Sequence, residues 1–313
     1  MPDLLPPPQS APTSPPAATV PARHAVTVVV ATRDRAADLR ASLPRHAAPV
    51  VVVDNGSTDG SLEVVRAEAE RRREAGEPEL LLLQPGRNLG ATARNLGVEA
   101  ARTPLVAFAD DDSWWAPGSL ERAAGFFAAS PRLALLAARL LVGDAEELDP
   151  VCAQMAAAPW GRAGDLPGPD VLGFVACGSV VRRDAFCAVG GFDDVNFFAG
   201  EEERVAYDLT GAGWGMAYVP DVVAHHHPSP ARSAPAVRAQ RIHRNVVLTA
   251  WMRRPLPSAV RSTAWRVAAG GPERAGALEA LGMLPRALRL RRVNAPEVER
   301  RLRVLAALGG GVA

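Results

Sequence analysis

Three aspartates, Asp110, Asp111 and Asp112, stand side by side in the stretch FADDDSWW, directly after the apolar run PLVAFA. Adjacent carboxylates repel and each raises the pKa of the next, so such a cluster at the end of a core strand is costly without a cation. One reading makes them turn and N-cap residues before a helix starting near Pro117. The other makes them ligands of a divalent metal. A second acidic run, Glu201 to Glu203, lies in GGFDDVNFFAGEEER, and three consecutive histidines lie in YVPDVVAHHHPSP. Carboxylates in a first helical turn are favoured by the helix dipole alone; one of them can also take a proton from a reacting hydroxyl. Imidazoles in a row are ordinary in a solvated loop, and equally are metal ligands.

The elements that would position these groups are legible in the apolar pattern. VTVVVA at 26–31, VVVV at 50–53, LLLL at 80–83 and LVAF at 105–108 are continuous apolar runs. They alternate with segments of helical composition: RAADLRASL, SLEVVRAEAERRREA and ATARNLGVEAA. Strands apolar on both faces, alternating with helices, indicate a parallel sheet covered on both sides. Such doubly wound α/β sheets bind ligands beyond the carboxyl ends of their strands. TRDR, DNGSTDGS and DDDS follow the first, second and fourth runs. The third leads through QPGRNLG into a helix whose N-terminus can face a phosphate. Asn55-Gly56 and Asp59-Gly60 supply turns, and Ser57 or Thr58 is expected to cap the next helix. Turn chemistry explains the glycines and hydroxyls. It leaves unexplained why Asp54 and the three aspartates should converge on one edge.

Hydrophobic residues make up 48% of the 313 and charged residues 22%, the balance of a soluble globular protein. No apolar run reaches the ~18 residues of a membrane span. The start, MPDLLPPPQSAPTSPPAATVPARH, lacks signal-peptide character and reads as a disordered Pro-rich tail on a cytoplasmic protein. Cys152, Cys177 and Cys187 show no metal-ligand spacing and read as reduced, mostly packed thiols. All 35 basic residues are Arg. From residue 231 onward there are 16 Arg against four Glu, a balance of +12, so the remainder carries −11. A basic, Leu- and Trp-containing tail behind an acidic body suits either an anionic partner such as a membrane surface, or pairing with that body. Its LEALGMLPRALRL places Leu278, Leu281, Leu284 and Leu288 on or near one helical face, suited to covering a cleft or lying on a membrane.

In order and spacing, VVVVDNGSTDGS, NLGATARNLG and FADDDSWWAPGSL resemble family 2 glycosyltransferases of the GT-A type, over about Val26 to Ser229. The resemblance implies an α/β fold with a doubly wound mixed sheet and a helical C-terminal extension. Its domains would be a disordered tail at 1–25, a catalytic domain at 26–229 and a basic helical extension at 230–313. Residues 26–115 would bind the nucleotide and 116–229 the acceptor. Thr32 and Arg33 would line the nucleotide pocket, Asp54 would accept a hydrogen bond from the base, and Arg87, Asn88 and Arg94 would lie near the nucleotide and its diphosphate. Asp111 would face the ribose. Asp112 would be the main ligand of Mn2+ or Mg2+, with Asp110 beside it and His226 as a further ligand, His225 or His227 being alternatives; an imidazole ligand favours manganese. Glu202, at the position where the family usually has Asp, would be the catalytic base, with Glu201 beside it.

The implied reaction moves a sugar, with inversion, from a nucleoside diphosphate sugar to a hydroxyl of a glycan, lipid-linked or small-molecule acceptor. The expected partners are that donor, that acceptor and an anionic membrane surface, without nucleic acid; the expected location is cytoplasmic, peripheral on the inner face of the membrane. Two rival readings are a sugar-1-phosphate nucleotidyltransferase and a non-catalytic sugar-nucleotide or membrane-binding module. The first would follow its first strand with a Gly-rich loop, whereas ATRDRAADL contains no Gly.

Overall fold

The computed structural model describes residues 25–230 and 234–308, so apart from Ala25 the Pro-rich segment read as disordered lies outside the described residues. The first four apolar runs become strands β1 (Val26–Thr32), β2 (Val50–Asp54), β3 (Leu80–Leu83) and β4 (Leu105–Ala109). They pair in parallel in the order β3-β2-β1-β4. Helices α1 (Ala36–Ser42), α2 (Ser61–Ala75) and α3 (Ala93–Ala100) connect them. Every residue of β2 and β4 is buried, which is why these strands carry apolar residues on both faces. Strand order reverses between β1 and β4, and the crevice at such a switch point is where an open α/β sheet takes its ligands.

The chain then continues through β5 (Ser113–Trp115), α4 (Ser119–Ala129), β6 (Leu133–Val142), β7 (Glu147–Leu148) and α5 (Pro150–Ala156). It goes on through β8 (Ser179–Arg182), α6 (Arg183–Ala188), α7 (Glu202–Gly211) and β9 (Gly215–His226). The sheet extends as β4-β8-β6-β9-β5, with β7 paired to β6. β8 runs antiparallel to both β4 and β6, β9 is parallel to β6, and β5 closes antiparallel on β9. One mixed sheet therefore joins the two halves distinguished in the sequence, and a single hydrophobic core runs through it.

Ser57 and Thr58 do not cap α2, which begins at Ser61 with Gly60 preceding it. Asp59 does that work by accepting from the Ser61 amide at 2.9 Å. The hydroxyl of Ser57 accepts from the Asp34 amide, and the Thr58 amide donates to the Asp34 carboxylate, so both residues tie the turn back to the end of β1.

Four further helices complete the described chain: α8 (Pro235–Arg253), α9 (Leu256–Ala269), α10 (Gly271–Arg289) and α11 (Pro296–Ala307). Val247, Leu248 and Met252 of α8 meet Ala277, Ala280 and Ala287 of α10 and Val195 of the body in a second, smaller core. At Gly276 an added Cβ would lie 2.4 Å from the Gln240 carbonyl oxygen, so only glycine allows this approach of the two backbones. Small residues thus form the packed face of α10, and Leu278, Leu281 and Leu288 are exposed rather than covering a cleft among the described residues. Part of the basic excess of the extension is spent on the acidic body. Buried Asp208 of α7 accepts from Arg253 at 2.7 and 2.9 Å and lies 3.1 Å from Arg292, while Arg301 donates to Asp170 at 2.8 Å. No helix among the described residues is long and apolar enough to cross a membrane.

Candidate functional site

Parallel pairing sets Thr32 opposite Asp54, at the carboxyl ends of β1 and β2. Asp54 is buried; its Oδ2 accepts from the Gly56 and Ser57 amides at 3.1 Å each. Its Oδ1 is buried without a hydrogen-bond partner among the described residues. An orphaned carboxylate oxygen of this kind is costly unless a ligand N–H fills it. Neighbouring Asn55 donates to the Gly90 carbonyl and accepts from the Leu89 amide at 3.0 Å, locking this turn to the one before α3.

The three aspartates form the tight turn from β4 into β5. Asp111 accepts from the Thr32 hydroxyl at 3.1 Å, and its Oδ1 lies 3.7 Å from Arg35 Nε. Burial, with Asp110 and Asp112 on either side, pushes its carboxyl up to about 8. Asp110 accepts from Arg94 at 2.7 Å, and the other guanidinium nitrogen of Arg94 donates to Glu201 at 3.0 Å. Burial works against the Arg94 charge, but Asp110 and Glu201 overcome it and raise its pKa. This one arginine ties the aspartate turn to the acidic start of α7.

Glu201 is 2% exposed and committed to Arg94; burial and the adjacent Glu202 push it up to about 8. Glu202 is half-buried and accepts from the Ala176 amide at 3.4 Å, and burial raises its pKa as well. Glu203 turns away to accept from the Tyr207 hydroxyl. Upstream, the segment leading to Glu201 is held by Asn245 of α8, which donates to the carbonyls of Asn196, Phe198 and Ala199. Phe197 and Ala199 are both left-handed, and the Phe197 carbonyl in turn accepts from the Ala91 amide at 2.6 Å. Left-handed backbone at two non-glycine residues is strain that only firm surroundings maintain, a pattern frequent beside functional groups.

The histidines are sorted by the pairing of β5 with β9, Ser113 opposite His226 and Trp114 opposite His225. His226 Nε2 lies 3.3 Å from Asp112 Oδ1, whereas His225 and His227 lie 3.1 Å from Glu146 and Asp144 respectively. Asp112 also accepts from the Ser229 amide at 2.9 Å. Asp110, His226 and Cys177 each offer a donor atom, all within 4.8 Å of one another. A carboxylate, an imidazole and a thiol fit Mn2+ or a softer divalent cation better than Mg2+. Cys177, 3% exposed beside the start of β8, was not foreseen as a ligand, because nothing in its spacing sets it apart from a packing thiol.

The structure therefore gathers Thr32, Arg94, Asp110, Asp111, Asp112, Glu201 and His226 around the switch-point crevice, with Asp54 and Glu202 as next neighbours in register and sequence. Arg33, Arg87 and Asn88 are exposed, Arg33 lying 3.5 Å from Asp34 and the Asn88 side chain accepting from the Gly90 amide at 2.9 Å.

Residues 27–190, just over half of the chain, match the sequence model of Glycosyl transferase family 2. A pre-mycofactocin glycosyltransferase of Mycobacterium tuberculosis is 32% identical over 221 residues, covering 68% of this chain and 45% of that protein. The chain thus spans about half the length of that relative. The N-acetylglucosaminyl-diphospho-decaprenol L-rhamnosyltransferase of the same organism is 29% identical over 255 residues, covering 68% of this chain and 80% of the relative. Among solved structures, the mannosyltransferase PcManGT from Pyrobaculum calidifontis, in complex with GDP-Man and Mn2+, superimposes with a TM-score of 0.57 at 22% identity. That match covers 91% of this chain and 76% of the mannosyltransferase, and the shared architecture is the GT-A fold.

Proposed function

This chain belongs to glycosyl transferase family 2, and from that premise we propose that it moves a sugar from a nucleoside diphosphate sugar to an acceptor hydroxyl, with inversion and assisted by a divalent cation. The observation that carries the reading is the Arg94 bridge, which brings the aspartate turn and the Glu201-Glu202 pair to one crevice. Asp54 Oδ1 is a ready acceptor for an N–H of the base, and Thr32 and Asp111 stand where a ribose would follow. Asp110, Asp112 and His226, with Cys177, would hold the cation, which when bound offsets the charge developing on the diphosphate. Arg94 keeps Asp110 and Glu201 at fixed positions, while Glu202, not committed to an arginine, takes the acceptor proton. Its raised pKa makes it a better proton acceptor near neutrality than an ordinary carboxylate.

Titration of UDP and GDP into the protein, with and without Mn2+, tests the reading. One nucleoside diphosphate should bind in a Mn2+-dependent manner, and Asp112→Ala should remove that dependence in a protein that still folds. Metal-dependent affinity that survives Asp112→Ala would take Asp112 out of the site.

A further inference from the structure

We propose that the outward face of α9 and α10 docks this protein on an anionic phospholipid surface. The inference stands on the extension and is independent of the transferase chemistry. On α10, Arg274, Leu278, Leu281, Pro285, Leu288 and Arg289 recur at three- and four-residue spacing, which sets them along one side of the helix. All six are exposed, Leu278 by 54%. The opposite side, with Gly276, Ala277, Ala280 and Ala287, is the one packed on α8. A helix that buries its small residues and presents its leucines to solvent reverses the arrangement that burial of apolar area favours.

α9 repeats the arrangement. Leu256, Val260, Ala264 and Ala268 recur at four-residue spacing and are exposed, with Arg261 and Trp265 alongside, Trp265 by 56%. The two helices run antiparallel: Arg274 at the start of α10 donates to the Val267 carbonyl near the end of α9. Beyond the end of α10, Arg291 donates to the Arg254 carbonyl, just before α9 begins.

The charges on the extension choose the occupant. Three of its four glutamates lie beside arginines, Glu279 at Arg244, Glu297 at Arg300 and Arg301, and Glu299 at Arg254, while half-buried Glu273 lies 3.4 Å from His243, whose pKa burial lowers. Arg238, Arg261, Arg289 and Arg303 are exposed and make no ion pair among the described residues. Exposed leucines with an amphipathic tryptophan, accompanied by exposed arginines without ion pairs among the described residues and with three of the four glutamates already paired to arginines, match the boundary between acyl chains and anionic headgroups. A second copy of this chain would bring the same positive charge to the contact, which disfavours self-association through this face.

Flotation of the full chain with vesicles of phosphatidylglycerol and phosphatidylcholine, compared with phosphatidylcholine alone, tests the proposal. The protein should bind the anionic vesicles at low salt and leave them as salt rises. Leu278→Ser combined with Leu281→Ser should lower partitioning by about tenfold or more, and Arg261→Ser combined with Arg289→Ser by about tenfold. Both pairs are exposed, so melting temperature and nucleotide affinity should stay at the parental values. Trp265 emission should shift to the blue on vesicle binding, a change absent in Trp265→Phe. No binding at low salt, equal binding to neutral vesicles, or parental binding by the leucine variant would each overturn the proposal. So would a parental dimer that the leucine variant dissociates, since the face would then belong to a second copy. Failure of the transferase reading would appear in the nucleotide titration and leave vesicle binding unaffected.

Discussion

Replacing Asp208 by Asn should weaken the attachment of the helical extension to the body far more than any other single carboxylate change on that boundary. Asp208 is buried on α7 between Arg204, at 2.6 Å, and Arg253, at 2.7 and 2.9 Å. Burial alone would raise its pKa, but hydrogen bonds and charge from Arg253, with Arg204 nearby, hold it below the ordinary aspartate value. Its contribution is therefore present above that value and lost as pH falls through the lowered pKa, so it is complete at pH 7. Asn keeps the volume and one acceptor but removes the charge. Arg204 retains Asp193 at 2.7 Å, whereas Arg253, itself buried, keeps only neutral acceptors, the amide oxygen and the Leu290 and Met252 carbonyls. Breaking a buried pair and stranding one partner costs about 3–5 kcal/mol, and with Arg204 still paired the lower end is expected. Asp194→Asn is the control: its pair with Arg286 at 3.0 Å is mostly exposed, worth about 0–1 kcal/mol. Urea denaturation of the three proteins at pH 7 gives the comparison. An Asp208→Asn protein within about 1 kcal/mol of the parent, or no weaker than Asp194→Asn, would refute the assignment of Asp208 as the anchor.

Two further outcomes follow from the buried groups. Burial pushes Glu203 up to about 7 despite its bond from Tyr207, so the folded state holds that proton more tightly than the unfolded chain. Stability should fall as pH rises from about 4.5 through 7, by about 3 kcal/mol from this group, and Glu203→Gln should lessen the fall between pH 5 and 8 in urea titrations, leaving the part due to Glu201 and Asp111. Cys177, if it shares a cation with Asp110 and His226, should give a thiolate charge-transfer absorption with Co2+ or Cd2+. The band should vanish in Cys177→Ser and persist in Cys187→Ser; an undiminished band in the first variant rules Cys177 out as a ligand.

Much of the fold is legible in the sequence because local pattern and tertiary role agree. SLEVVRAEAERRREA is α2 to the residue, and each of the four apolar runs becomes a strand; burial on both faces demands uninterrupted apolar side chains in β2 and β4, while β3, at the sheet edge, is half-buried over three of its four residues. The aspartates, Arg94 and the glutamates were placed by motif order, and the structure adds the salt bridges that join them. Where a long-range partner decides, local reading stops short. Three histidines in a row carry no phase; only the pairing of β5 with β9 turns His226 toward Asp112 and its neighbours away. Ser57 and Thr58 looked like caps because their hydroxyls suit one, but Asp34, 23 residues from Ser57, claims them. The leucine periodicity of α10 was visible, yet α10 has two apolar faces, and close approach to α8 selects the one made of glycine and alanine.

The most direct measurement is single-turnover sugar transfer to an identified acceptor by Glu202→Gln, beside Glu201→Gln and Glu203→Gln, with nucleoside diphosphate affinity measured for each. The amide keeps the shape of Glu202 but cannot take a proton, so donor affinity should hold while transfer falls by about 10²–10⁴-fold. Glu203→Gln should transfer at the parental rate, because its side chain faces Tyr207. Parental transfer by Glu202→Gln would contradict the proposed base. If Glu201→Gln then failed with donor affinity intact, the proton would belong to the carboxylate held by Arg94.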